Sequence, residues 1–341
     1  MIKDLTVNKN KNNVNGTFSI AGRKFFYKIL RQRPFGYEVN GYKIIKKYYP
    51  VSNLVYHDSK TGLLLYEFDN SIGKNKGLVA DLLGRKIKKS GKRSVKKILL
   101  LYKKVFLKTL KFKKSDSAKI FFHDRIKTRI EPYYQKRFME SLRGKELIFN
   151  NVHLQLDPVS TLKGIKDYFS KNKKIWCAIS QCDPSELNIG LKPIIFDYLA
   201  GGYNPLMAEF ATFIWYTLIQ GNYLSLKYNR ASYNNHGRVF SSMAKVKLQK
   251  NVLKHSVSKA RKELISEYIK VVIKPVFHRI HDYNEWYYDF KHFFALRLLG
   301  VFNVRKMERK DQVLSFGYLE FFYNKINPKY PTDLINIINK L

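Results

Sequence analysis

The alternation of apolar and polar positions changes character along the chain. "TFSIAGRKFFYKIL", Thr17 to Leu30, holds two β-rich runs around Ala21-Gly22-Arg23, which predicts a hairpin. "LVYHDSKTGLLLYEFD", Leu54 to Asp69, predicts another, turning at Ser59-Lys60-Thr61-Gly62. Between them, "PFGYEVNGYKIIKKYY" places Tyr37, Tyr42, Ile44 or Ile45 and Tyr48 at helical spacing, although Pro34 and two glycines weaken the pattern. Residues 1–69 therefore read as a small, mainly antiparallel sheet with one helix, and "NSIGKNKG", residues 70–77, as a linker.

From Leu78 the period becomes helical. Val95, Ile98, Leu99, Tyr102, Val105 and Phe106 fall at steps of three and four inside Arg85 to Lys114, a stretch without an acidic residue. That predicts a helix with one apolar face and one lysine-rich face. The favoured reading of such a helix is a solvated charge face over a core stripe; contact with a polyanion or an anionic membrane surface through residues 85–114 is the minority one. "DPVSTLKGIKDYFSKN" reads as a helix capped by Asp157 with Pro158 in its first turn. "IWCAIS" and "PIIFDY" read as short strands. After "AGGYNP" the chain is expected to be mostly helical to its end, with a polar break at "NRASYNNHGR". The element pattern is α+β: a β-rich part, a linker, then a helical part from 78 to 341.

Length and composition narrow the field. With 341 residues and 45% apolar content there is ample core for two lobes. The formal charge of +38 attracts polyanions, although Lys, Asn, Ile and Tyr are all abundant, so composition alone accounts for it as readily. Cys177 and Cys182 form no disulfide framework and no zinc pattern. The longest apolar run, "FATFIWYTLI", is too short to span a bilayer, and "MIKDLTVNKNKNN" lacks the apolar core of a signal peptide. A cytoplasmic protein is the expectation.

The chemistry concentrates in "CAISQCDPSELNIGLKPIIFDY", where Asp183, Asn188 and Asp197 follow the order Asp-x4-Asn-x8-Asp. Loop polarity is the bland account. The sharper one is a site for a metal and a phosphate, since hard cations take carboxylate and amide oxygens. Upstream, "FFYKIL" puts Lys28 among apolar neighbours on a strand, and Glu38 follows ten residues later on the helix. Other chemistries fail sooner: there is no G-x-S-x-G and no P-loop, and His123-Asp124 is a single pair without further ligands.

On these residues the chain resembles the aminoglycoside phosphotransferase and choline kinase group, small-molecule kinases with a bilobal protein-kinase-like fold. The resemblance spans about residues 17–215, with diagnostic motifs in two stretches. It implies ATP and Mg2+ as cofactors. Asp183 would accept the proton of the attacking hydroxyl, and Asn188 and Asp197 would hold the metal. Lys28 would grip the α- and β-phosphates with Glu38 orienting it, and the backbone near Glu67 and Phe68 would meet adenine. Glu209 stands where an aspartate is usual, in a structural place.

Three departures qualify the match. Gln181-Cys182 replaces His-Gly before the base. No glycine-rich phosphate loop is present, since only Gly16 and Gly22 precede Lys28 and "NKNKNNVNG" is a poor substitute. The +38 charge suits a neutral or anionic small-molecule or glycan acceptor better than a polycationic aminoglycoside. Two alternatives stay open: a nucleotide-binding pseudokinase acting as scaffold or regulator, and a basic polyanion binder of nucleic acid or a membrane surface, with no nucleic-acid sequence specificity expected. Acceptor residues would lie in the C-terminal helices, where no motif is readable and where Asp282 and Glu285 read as solvated loop.

Overall fold

The computed structural model describes residues 2–9, 13–84, 89–115, 122–171 and 173–341, without the side chains of Asn13 and Gln32. Residues 10–12 of the Asn-rich stretch and Arg85–Lys88 of the basic stretch lie outside that set.

The first lobe is an antiparallel sheet. Strands β1 (Ile2–Lys3), β2 (Asn8–Lys9), β3 (Asn13–Ile20), β4 (Arg23–Leu30), β5 (Leu54–Asp58) and β6 (Leu63–Glu67) run in the order β1-β3-β4-β6-β5, with β2 also beside β3. The β3–β4 turn is closed by Ala21 at φ 48° and Gly22 at φ 75°, the left-handed pair that matches strand twist in a two-residue hairpin. Asp58 closes the β5–β6 turn by accepting from the Lys60 and Thr61 amides and the Thr61 hydroxyl. Helix α1 (Gln32–Ile45) forms despite Pro34, which sits in its first turns, where a proline removes no internal hydrogen bond. It buries Phe35, Val39, Tyr42 and Ile45.

The second lobe is mainly helical. After α2 (Val79–Leu83), α3 (Lys89–Thr109) buries Ile98, Leu99, Tyr102, Val105 and Phe106, the expected stripe, and leaves Val95 half-buried. Asp157 caps the helix Pro158–Ser170 by accepting from the Ser160 amide at 3.2 Å. The core centres on the helices Leu206–Trp215 and Trp286–Gly300, whose apolar residues are almost wholly buried. Ile175–Ser180 is a strand between Lys111–Lys113 and Gly202–Pro205.

Two expectations need correction. "PIIFDY" is not a regular strand: only Ile195 forms isolated bridges, to Val51 and Ile189, because the hydrogen bonds of 188–196 close a tight loop on itself. The region after 206 is not helical throughout. Val246–Gln249 and Val252–His255 form a hairpin that joins a second one, Glu146–Phe149 with Val152–Gln155, in one four-stranded sheet. Four-residue strands with exposed lysines and Asn-Asn or Lys-Asn turns give little periodicity to read. The architecture is nonetheless α+β, as expected. Among the described residues no helix is long and apolar enough to cross a membrane.

Candidate active site

Lys28 occupies β4 opposite Asn15 on β3 and Leu64 on β6. Its Nζ lies 3.2 Å from Glu38 Oε2 and 3.1 Å from Asp197 Oδ1, so three residues far apart in sequence meet at one ammonium. Burial works against the Lys28 charge, but Asp197 and then Glu38 outweigh it and hold the amine protonated beyond the usual lysine range. One cation shared by two carboxylates leaves the more buried of them short of charge. Burial pushes Glu38 up to about 7, while Lys28 offsets the burial of Asp197 and holds it below its ordinary value. Tyr66 donates to Glu38 Oε1, and so does the Tyr198 amide, both at 3.4 Å.

Helix α1 reaches Asp197 closely because Gly41 has no side chain. A Cβ there would stand 1.8 Å from the Tyr198 carbonyl oxygen. That approach is what brings Glu38 to Lys28.

Asp183 follows the strand Ile175–Ser180. Asn188 returns to it: its Nδ2 donates to the Asp183 carbonyl at 3.1 Å and reaches Asp183 Oδ2 at 3.5 Å. The loop is fixed from below by Glu186, whose carboxylate takes a bidentate pair from the wholly buried Arg261 at 2.6 and 3.0 Å. Gln181 donates to the Tyr102 hydroxyl on α3 at 2.8 Å and so anchors the start of the loop. Cys182 sits at φ 57° and Asp197 at φ 61°. The left-handed region costs an L-residue about 1–2 kcal/mol that a glycine does not lose, so Cys182 is a strained position.

Lys28, Glu38, Glu67, Phe68, Asn188 and Asp197 all line one cleft of ≈ 440 Å³. The Glu67 amide donates to the Asn53 carbonyl and the Phe68 amide to the Lys24 carbonyl. Those two donors are therefore occupied within the protein. Asp69 lines the same wall one residue further on.

Asp183 faces a different environment. Arg297 Nη2 donates to its Oδ1 at 2.7 Å, and the Arg297 guanidinium lies 5.0 Å from the Trp215 ring centre. Arg125 and Tyr216 also act on it, Tyr216 through a side-chain hydrogen bond. Burial raises the Asp183 carboxyl, and Arg297 opposes that rise. Burial and the neighbouring Arg297 together bring Arg125 down to about 9. Sequence reasoning missed Arg297, Arg125 and the Glu186–Arg261 pair. "FALRLLGVFNVRKM" contains Arg297 but has no motif to mark it.

No protein-family model matches the chain. No curated protein matches it in sequence. Among solved structures it is similar to spectinomycin phosphotransferase APH(9)-Ia in complex with ADP and spectinomycin, with 8% identity over 100% of this chain and 94% of that one and a TM-score of 0.44. It is similar to an ethanolamine kinase of Plasmodium vivax at 9% identity, 99% and 82% coverage and a TM-score of 0.44. It is also similar to the choline kinase LicA from Streptococcus pneumoniae at 12% identity, 87% and 92% coverage and a TM-score of 0.37. What the site can do follows from its own geometry.

Proposed function

We propose that the chain is an ATP-dependent phosphotransferase that moves a γ-phosphate to a hydroxyl of a small molecule, sugar or glycan. The observation that carries this is Lys28 held between Glu38 and Asp197 on the wall of a cleft that Asn188 shares. A buried, fully charged lysine with two carboxylate partners is costly to build, and it suits a polyphosphate better than a core. Glu67, Phe68 and Asp69 would line the base side of the nucleotide, and Lys28 its phosphates.

The residues fit magnesium. Asn188 uses its amide nitrogen on Asp183, which leaves its oxygen for a cation, and the Asp197 side chain keeps 35% of its surface exposed. Among the described residues no group of three or more His, Cys, Asp or Glu gathers as a metal site. Two protein oxygens are what magnesium uses when phosphate and water supply the rest. Bound there, the ion would neutralise charge on the β- and γ-phosphates. Asp183 would accept the acceptor's hydroxyl proton as the new P–O bond forms, with Arg297 and Asn188 fixing its carboxylate. Two arginines beside that carboxylate disfavour a cationic acceptor, so a neutral or anionic one is proposed.

The test is transfer of labelled γ-phosphate from Mg-ATP into fractionated metabolites and glycans. Wild type should label a fraction that Asp183→Asn does not, with ATP binding kept by both. A second reading, nucleotide binding without transfer, draws on Arg297 occupying Asp183 Oδ1 at 2.7 Å. ATP binding with no labelled fraction would favour it.

A further inference from the structure

Between α2, α3 and the helix Lys259–Tyr268 lies a groove of ≈ 810 Å³ that shares no lining residue with the nucleotide cleft. Its floor is aliphatic: Leu82, Leu83, Leu99 and Leu264 are buried there, with Val95 half-buried beside them. Its rim is cationic. Lys89, Lys92, Arg93 and Lys96 line it from α3, and Lys259, Lys262 and Lys270 line it from across the groove. Among the described residues Glu263 and Glu267 are the only acidic ones of the lining, so seven cations meet two carboxylates there.

The arrangement departs from the usual amphipathic helix. Lys92, Lys96 and Leu99 stand at i, i+4 and i+7, on one face of α3, so the charges continue the apolar stripe instead of opposing it. Lys92 pairs with Glu263 at 3.3 Å, and Lys262 donates to the Asn339 carbonyl at 3.0 Å, which ties the rim to the groove wall. Burial also brings the Lys262 amine below its usual range.

Charge and floor together select an occupant. A nucleic acid would meet the lysines, but strand-tracking sites stack bases on aromatic rings, and among the described residues this lining contains none. An aliphatic chain matches leucine and valine, and a phosphate monoester matches clustered lysines. We propose that the groove binds a single-chain anionic phospholipid, with its acyl chain on the Leu82, Leu83, Leu99 and Leu264 floor and its phosphate on the α3 lysines. This site is independent of the phosphotransfer reading and stands or falls without it.

The experiment uses the full chain and calorimetric titration with 1-oleoyl lysophosphatidate below its micelle-forming concentration. Lysophosphatidylcholine, inorganic phosphate and a single-stranded oligonucleotide serve as comparison ligands. Lysophosphatidate should bind at least tenfold more tightly than lysophosphatidylcholine or phosphate. Lys92→Glu with Lys96→Glu, both exposed positions, should weaken it at least tenfold, and Val95→Ser severalfold. Lys247→Glu with Lys250→Glu, exposed positions outside the lining, should leave it unchanged.

Equal loss from both charge-reversal pairs would overturn the proposal, since net charge would then explain the binding. Equal affinity for phosphate alone would remove the floor from the account and overturn it as well. Tighter binding of the oligonucleotide, lost in the Lys92/Lys96 variant, would reassign the groove to a polyanion. Circular dichroism of each variant confirms that it folds.

Discussion

The two sides of the Asn188–Asp183 segment are built differently. On the nucleotide side a lysine is surrounded by carboxylates: Lys28 touches Glu38 and Asp197. On the other side a carboxylate is surrounded by cations: Asp183 is bound by Arg297, with Arg125 acting on it. The first arrangement has its centre of positive charge facing a cleft, as a polyphosphate requires. In the second, Arg297 opposes the rise that burial imposes on the Asp183 carboxyl and surrounds it with positive field. The reversal of sign means that substitutions on either side should separate in their kinetics.

The largest effect is expected on the nucleotide side. Lys28→Ala removes the shared partner and leaves Glu38 and Asp197 facing each other. Transfer should fall by about 10²–10³-fold with ATP affinity falling alongside, since a preorganised charge at the phosphates is lost. Steady-state kinetics with ATP varied, and then acceptor varied, checks this; an unchanged acceptor KM is part of the expected result.

Arg297→Ala acts on the other side and should leave ATP affinity intact. Arg297 is 1% exposed, and removing it strands a largely buried carboxylate, with a stability loss of about 3–5 kcal/mol. Arg297 lowers the Asp183 carboxyl. Without it the base needs a higher pH to ionise, so the acid limb of the pH–rate profile should move upward, with the maximal rate down on the order of tenfold. A rate loss with no movement of that limb would mean that Arg297 only holds the fold.

How much of this was legible follows from how each residue is held. Lys28 sits on a strand with clear apolar neighbours and Glu38 on a helix readable despite Pro34 and its glycines, and Asp183, Asn188 and Asp197 lie within fifteen residues of one another, so their spacing was visible. The role of Gly41 was not, because a glycine in a helical pattern reads as a weakness until the Tyr198 carbonyl is seen against it. Arg297 and Arg125 were invisible for another reason. They approach Asp183 from 114 and 58 residues away on elements with no motif, and an arginine in a lysine-rich chain carries no signal. Gln181 and Cys182 were legible as departures, but not as an anchor to Tyr102 and a strained left-handed residue.

Gly41→Ala sharpens the comparison from a distance. The added methyl collides with backbone, so α1 must retreat from Tyr198 and carry Glu38 away from Lys28. Overpacking of this kind costs about 1–3 kcal/mol, and ATP affinity should weaken by about tenfold. Acceptor KM should not move. A stability loss with normal ATP binding would show that Lys28 keeps its place without Glu38.

The smallest effect on turnover is expected at Glu209, which lies beside the strand Ile175–Ser180 and outside the cleft lining. It is 1% exposed, and burial pushes its carboxyl up to about 8. In the unfolded chain the same group releases its proton near 4.5. Between those values the folded state binds more protons than the unfolded one, so this residue makes stability fall as pH rises from about 4.5 to about 8, and contributes no slope outside that window. The loss across the window is on the order of a few kcal/mol. Glu209→Gln keeps the shape and removes the titration, so denaturant midpoints at pH 5 and pH 8 should lie closer together than in wild type. Transfer at pH 7 should change less than in any variant above, because Glu209 is already largely protonated there, lies outside the cleft lining, and acts on Asp183 and Arg297 only through its charge. An equal pH slope in both proteins would place the carboxylate's proton elsewhere, on Asp183 itself, and would move the acid–base boundary of the site to the acceptor side.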